Sequence, residues 1–166
     1  VITNCTIIVT DPNAPKDGGI HANHDSNPVI TNCILWGNGD DLHNCSATYS
    51  CIEDGDKGKG NIYIMPTFVT GPLGDYYLSQ TAAGQLSDSS CIDVGDPNTD
   101  PALRLDTYTT RTDGVPDTDI IDIGVHYPAI PARLVQLDIT IMEANVPVDP
   151  NMAHGRVEPS SGSYRQ

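Results

Sequence analysis

The sequence predicts an all-β fold of short, repeating, stacked strands, and three observations predict it. The pentapeptide VITNC occurs at 1–5 and again at 29–33, an interval of 28 residues. Self-similarity at roughly 20–50 residues marks architectures in which one unit stacks on the next. Composition points the same way: 15 Gly and 13 Pro, with many Asp, Asn, Ser and Thr, against one Phe and one Trp. That mixture suits short strands joined by many turns. Finally, no convincing amphipathic helix exists, because the best start, at 102–105, is ended by Asp106 and the threonines that follow.

Taken in order, residues 1–10 (VITNCTIIVT) form a β-branched run bounded by a turn cluster at 11–17. Gly18 and Gly19 lead into a short strand at Ile20, and 25–28 turns the chain into the second VITNC. Asn4 and Asn32 interrupt the β runs, where a strand interior disfavours them. Asn tolerates the left-handed conformation. Each is therefore expected to bend the chain between two strands, stacked as a ladder on its counterpart in the neighbouring repeat. Around that bend Ile2, Cys5 and Ile7 face inward, as do Ile30, Cys33 and Leu35, while Thr3, Thr6, Thr31 and Trp36 face outward. A weaker third copy lies at 47–52 (ATYSCI). Aligning Cys33 with Cys51 gives a step of 18; aligning Ile30 and Cys33 with Tyr49 and Ile52 gives 19. The second is preferred because it keeps large apolar residues inside, and it puts Cys51 at the bend. Units of about 20 residues with three short strands each describe a right-handed parallel β-helix, a solenoid.

The segment DGGIHANHDSNPVITNCILWGN resembles the secreted bacterial right-handed parallel β-helix repeat proteins, whose coils run like DGGGIY…SSPTITNC…GN. Further matches follow in the order typical of that family: YSCIE, GNI, PTFV, GDYYL, SCIDVGD and DIGVHYP. The resemblance implies the C-terminal end of such a protein, with its last coils at 1–65 and an irregular cap segment at 66–131. Residues 80–89 depart from the family's usual short link. A cap is also a physical requirement, since the end of a β-helix exposes apolar core and open strand edges. Tyr63, Ile64, Phe68, Tyr76, Tyr77, Leu78, Ile92 and Val94 are available to cover it. Residues 133–142 (RLVQLDITIM) alternate as a half-buried strand. Residues 155–164 (GRVEPSSGSY) resemble the opening of small all-β repeat modules of bacterial surface proteins. Residues 132–166 are accordingly read as the start of a second all-β module or an ordered tail. The chain opens inside a repeat, and a piece of a longer secreted or cell-surface protein is expected.

The formal charge of −14 excludes nucleic acid and anionic lipid surfaces as expected partners, since both call for a basic face. No apolar run is long enough for membrane insertion. Residues 88–122 hold nine Asp against Arg104 and Arg111, a net of −7. Within them Asp113, Asp117, Asp119 and Asp122, around a Gly-Pro turn, are the candidate calcium ligands, because oxygen donors at near-alternate positions suit that ion. The full EF-hand spacing is missing. Asp93 with Asp96 is a lesser candidate, and no other cofactor is expected. His21 and His24 make a weaker metal motif, since i and i+3 on a strand face apart; His43 would strengthen it by lying close. The five Cys include no CxxC. Cys5 and Cys33 are expected to stack as core residues, and Cys45–Cys51 is the one pair nominated as a disulfide.

Lyase chemistry needs a basic group to take the proton, but residues 1–66 hold no Arg and only Lys16, Lys57 and Lys59. Hydrolase chemistry needs two converging carboxylates, and the neighbours Asp40 and Asp41 are poorly placed for that. The expectation is a non-catalytic structural or adhesive segment with no catalytic residues. The alternative is the C-terminal part of a polysaccharide lyase or hydrolase, or a glycan-binding β-helix, with its active coils upstream. Glycans, other extracellular proteins, or self-assembly through the C-terminal strands are the expected partners.

Overall fold

A computed structural model describes residues 1–9, 13 and 18–129. The described residues are all-β, with three short 3₁₀ turns and no α-helix among them. The strands are β1 (Ile2–Thr3), β2 (Thr6–Ile8), β3 (Ile20–His21), β4 (Ile30–Thr31), β5 (Ile34–Trp36), β6 (Leu42–His43), β7 (Ala47–Thr48) and β8 (Cys51–Ile52). Then come β9 (Phe68–Gly71), β10 (Gly74–Leu78), β11 (Tyr108–Thr109) and β12 (Tyr127–Pro128). The readings placed on 133–142 and 155–164 fall outside the described residues.

The first eight strands pair in parallel and in sequence order: β1–β4–β7, β2–β5–β8 and β3–β6. VITNC lies on VITNC, with Ile2 opposite Ile30, Thr3 opposite Thr31 and Thr6 opposite Ile34. The strands are short because a left-handed residue stands between the first two of each set: Asn4 (φ 52°), Asn32 (φ 52°) and Tyr49 (φ 48°). The third copy corrects the expected offset. Ile30 pairs with Ala47 and Ile34 with Cys51, a step of 17 rather than 18 or 19, so Tyr49 and not Cys51 takes the bend. The bend and the main-chain ladder set this register, and a small Ala takes the inward place of Ile30. Tyr suits the left-handed region poorly. Its N–H bonds Lys59 O at 2.7 Å, its ring lies so close to Gly60 that a Cβ there would come within 2.3 Å, and Lys59 Nζ sits 5.3 Å from the ring centroid.

Two apolar clusters result. The inner one holds Ile30, Cys33, Leu35, Leu42, Ala47 and Ile52, with Ile2, Cys5, Ile7 and Ile20 against it. Burial pushes the Cys33 thiol up to about 12, so it behaves as a small apolar side chain. The second cluster lies on the outer face of β2–β5–β8, where Leu78, Cys91 and Ile123 cover Ile34 and Cys51. The irregular segment therefore flanks a sheet; it was expected to seal an end. Of the residues proposed as an end cover, Tyr63 (74%), Ile64 (60%) and Val94 (36%) are exposed. The last rung is met instead by main chain: Cys51 bridges Ile62, Ile52 N–H bonds Ile62 O, and Ile62 N–H bonds Ser50 O, both at 2.9 Å. Cys45 and Cys51 are both free. Cys45 packs on the inner cluster and Cys51 belongs to the outer one, which is why the nominated disulfide does not form.

Asn32 ties the two parts together. Its buried amide donates to Thr99 Oγ1 at 3.0 Å and accepts from Asp96 N–H at 2.7 Å, while its main-chain oxygen accepts from Gly124 N–H at 2.9 Å. The expected side-chain ladder is absent among the described residues. Asn4 Oδ1 accepts from Thr3 Oγ1, and its buried Nδ2 meets no acceptor among them. The amide of Asn32 turns outward because the irregular segment supplies better-placed partners than a second amide would. Asn32→Ala should destabilise the fold by about 2–4 kcal/mol, from strain at the bend and an orphaned Asp96 N–H. Thr31→Ala should cost less than about 1 kcal/mol. Urea unfolding of both variants checks this, and equal losses would contradict the role given to Asn32.

Candidate functional site

The acidic segment folds by local turns that leave some carboxylates outside and bring others in. Asp113 and Asp119 stay out. Arg111 Nη2 reaches Asp113 at 2.6 Å, and this guanidinium holds the carboxyl below its ordinary value. Asp119 is exposed, with φ 69°. Asp117 and Asp122 turn inward and meet Asp93 from the preceding loop. One carboxylate oxygen of each of these three lies within 4.8 Å of the others. Of the four expected ligands, then, two are brought together, and the third member is a residue the spacing had ranked lower. They border a polar cleft of about 320 Å³ that also touches Gln80, Thr110 and Arg111.

The two buried carboxylates are closely bonded to protein. Asp122 Oδ1 accepts from Asp93 N–H at 2.8 Å; its Oδ2 accepts from Gln80 Nε2 at 3.1 Å and from the Thr110 hydroxyl. Asp117 Oδ2 accepts from Asp122 N–H at 2.8 Å and from His126 Nε2 at 2.7 Å. The other ring nitrogen of His126 faces Gly124 O at 3.0 Å. Both ring nitrogens thus face oxygen atoms, and because a carboxylate only accepts, Asp117 fixes a hydrogen on Nε2. Burial first, and then the neighbouring Asp117 charge, push the Asp122 carboxyl up to about 6; its donors and His126 only partly offset this.

Chemically, three carboxylates around a cleft match the hard oxygen donors that calcium takes. An ion seated there would compete with Thr110, Gln80 and two main-chain N–H groups for the same oxygens. The arrangement also welds 80, 93, 110, 117, 122 and 126 into one knot. Gln80, Thr110 and His126 were not identified as parts of this site, because nothing in local spacing connects Gln80 to residues 30 and 42 positions away.

Asp40 and Asp41, weighed as a hydrolase pair, separate. Asp41 is buried and accepts from Asn38 Nδ2 and Glu53 N–H, both at 2.9 Å, whereas Asp40 is exposed and reaches His43. His21 and His43 lie side by side on paired strands, and His24 sits apart on an exposed turn. Among the described residues no helix is long and apolar enough to cross a membrane.

Comparison with family models, with curated proteins and with solved structures finds no match.

The raised Asp122 value fixes a sign. In the folded protein the carboxyl holds its proton to higher pH than in the unfolded chain. Its contribution is therefore fully present below about pH 4 and is lost as pH rises through about 6. The stability difference between the native protein and Asp122→Asn should fall by up to ~3 kcal/mol across that window. Urea unfolding at intervals from pH 4 to 7 measures it; a difference that rises with pH would show that the carboxylate form is the stabilised one.

Proposed function

We propose that this chain is a non-catalytic structural or adhesive element of a secreted or cell-surface protein, built on coils of a right-handed parallel β-helix. The observation that carries this reading is the in-register stack of β1, β4 and β7. Its outward side presents Val1 and Thr3, Val29 and Thr31, then Ser46 and Thr48, one pair per rung. Val1 and Val29 are 93% and 60% exposed, Ser46 and Thr48 are exposed, and Thr48 Oγ1 lies 3.4 Å from Thr31 Oγ1. The side chains of these three pairs are uncharged in a chain of net charge −14. A rigid, neutral surface of methyls and hydroxyls suits contact with a repetitive, weakly charged partner such as an extracellular glycan. The bonded state of Asp117 and Asp122 also supports a load-bearing role for the acidic segment over a hydrolytic one, since a general acid and base need free access to substrate.

Two measurements test the proposal. Incubation with neutral and acidic polysaccharides should release no reducing ends and no unsaturated uronate; product above a heat-denatured control would replace this reading with the glycan-active alternative. Retention on insoluble glycans should fall at least tenfold in the Thr31→Glu, Thr48→Glu double variant with unchanged urea midpoint, and undiminished retention would remove this face from the function.

A further inference from the structure

The parallel pair β3–β6 sets His21 directly opposite His43. Residues opposite each other on paired strands project to the same side, and adjacent strands lie about 4.8 Å apart. The imidazole centroids are 4.2 Å apart and tilted by 34°. The backbone is fixed on both sides of the pair. Ile20 N–H bonds Asp41 O at 2.8 Å, and Ala22 N–H bonds His43 O at 2.9 Å. Gly19 approaches so closely that a Cβ there would lie 2.2 Å from Asp41 O. The rings share a cleft of about 290 Å³ lined by Gly19, Ile20, His21, Asp40 and His43.

Asp40 supplies the orienting contact. Its Oδ2 lies 2.8 Å from His43 Nδ1. A carboxylate can only accept, so Nδ1 carries the hydrogen, and in the neutral ring the lone pair falls on Nε2. A carboxylate fixing the tautomer of a ligand histidine is the usual outer-shell arrangement of imidazole metal sites.

We propose that His21 and His43 bind a divalent transition-metal ion of the zinc, cobalt or nickel class, with Asp40 as a positioning residue. Imidazole suits these ions, while oxygen-only sites suit calcium. Bonds of about 2.0–2.1 Å to nitrogen place two ligand nitrogens of a tetrahedral ion roughly 3.3 Å apart, a separation compatible with the 4.2 Å spacing of the centroids once the rings turn so that their lone pairs converge. Water completes the coordination on the open side, so this is an accessible surface site.

Calorimetric titration of the whole chain with zinc chloride tests the proposal. One equivalent should bind, in the micromolar range, and a large excess of calcium should not displace it. His21→Ala and His43→Ala should each weaken binding at least tenfold. Asp40→Asn should weaken it about tenfold, and Asp40→Glu should restore most of the loss, which a merely structural role for Asp40 would not produce. The cobalt adduct should lack a thiolate charge-transfer band, which separates the imidazoles from the five cysteines. All four variants should keep the native urea midpoint, because these side chains are exposed. Absence of saturable binding, native affinity in either histidine variant, or a thiolate band would overturn the assignment.

Discussion

The left-handed corner at Asn32 is the constraint on which the rest of the molecule depends. A non-glycine residue in that conformation carries an intrinsic penalty of about 1–2 kcal/mol, least for Asn. Here the buried amide forms two hydrogen bonds and the carbonyl a third, all to the irregular segment. The corner does two things at once. It ends β4 and re-aims the chain into β5, and it holds 95–99 and 124 against the stack. Without it, the apolar side of Ile34 and Cys51 would face water, and Leu78, Cys91 and Ile123 would have nothing to cover.

Buried carboxylates do for the irregular segment what strand ladders do for the stack. Such a stretch has few main-chain partners of its own, and a buried N–H without an acceptor is costly. Asp122 takes the N–H of Asp93, Asp117 takes that of Asp122, and, before β6, Asp41 likewise takes that of Glu53 from the loop after β8. Their like charge is moderated by the raised Asp122 value, which keeps part of the cluster protonated near pH 6, while His126 Nε2 donates to Asp117. The acidity of residues 88–122 is in this sense a structural material. The same oxygens that resemble a cation site are the acceptors that hold the segment in shape.

The three parallel sheets divide the surface between different uses. The side of β2–β5–β8 is covered by the segment that follows. That of β1–β4–β7 is open, uncharged and hydroxyl-rich, which favours adhesion in the proposed β-helix. The β3–β6 pair carries two imidazoles and a carboxylate over a cleft, and there the proposed metal site lies. A parallel in-register stack makes this partition possible, because one side chain repeated along a column becomes a surface.

The sequence by itself determined the repeat, the all-β class, the inward columns of Ile2, Ile30 and Leu35, and the bends at Asn4 and Asn32. Those follow from local causes: period-two alternation, and the tolerance of Asn for a left-handed backbone. It also marked the acidic stretch as the place where charge concentrates. Only the tertiary structure decided the rest. It put Tyr49 at the third bend, because the ladder to Cys33 and Leu35 sets the register more firmly than the match of large apolar residues. It sent the irregular segment to the flank of a sheet, and turned the Asn32 amide away from Asn4. It replaced Asp113 and Asp119 by Asp93 around Asp117 and Asp122, and set His43 beside His21. Each of these depends on a partner 17 or more residues away, and the free energy of such a contact is set by burial and geometry that no local pattern contains.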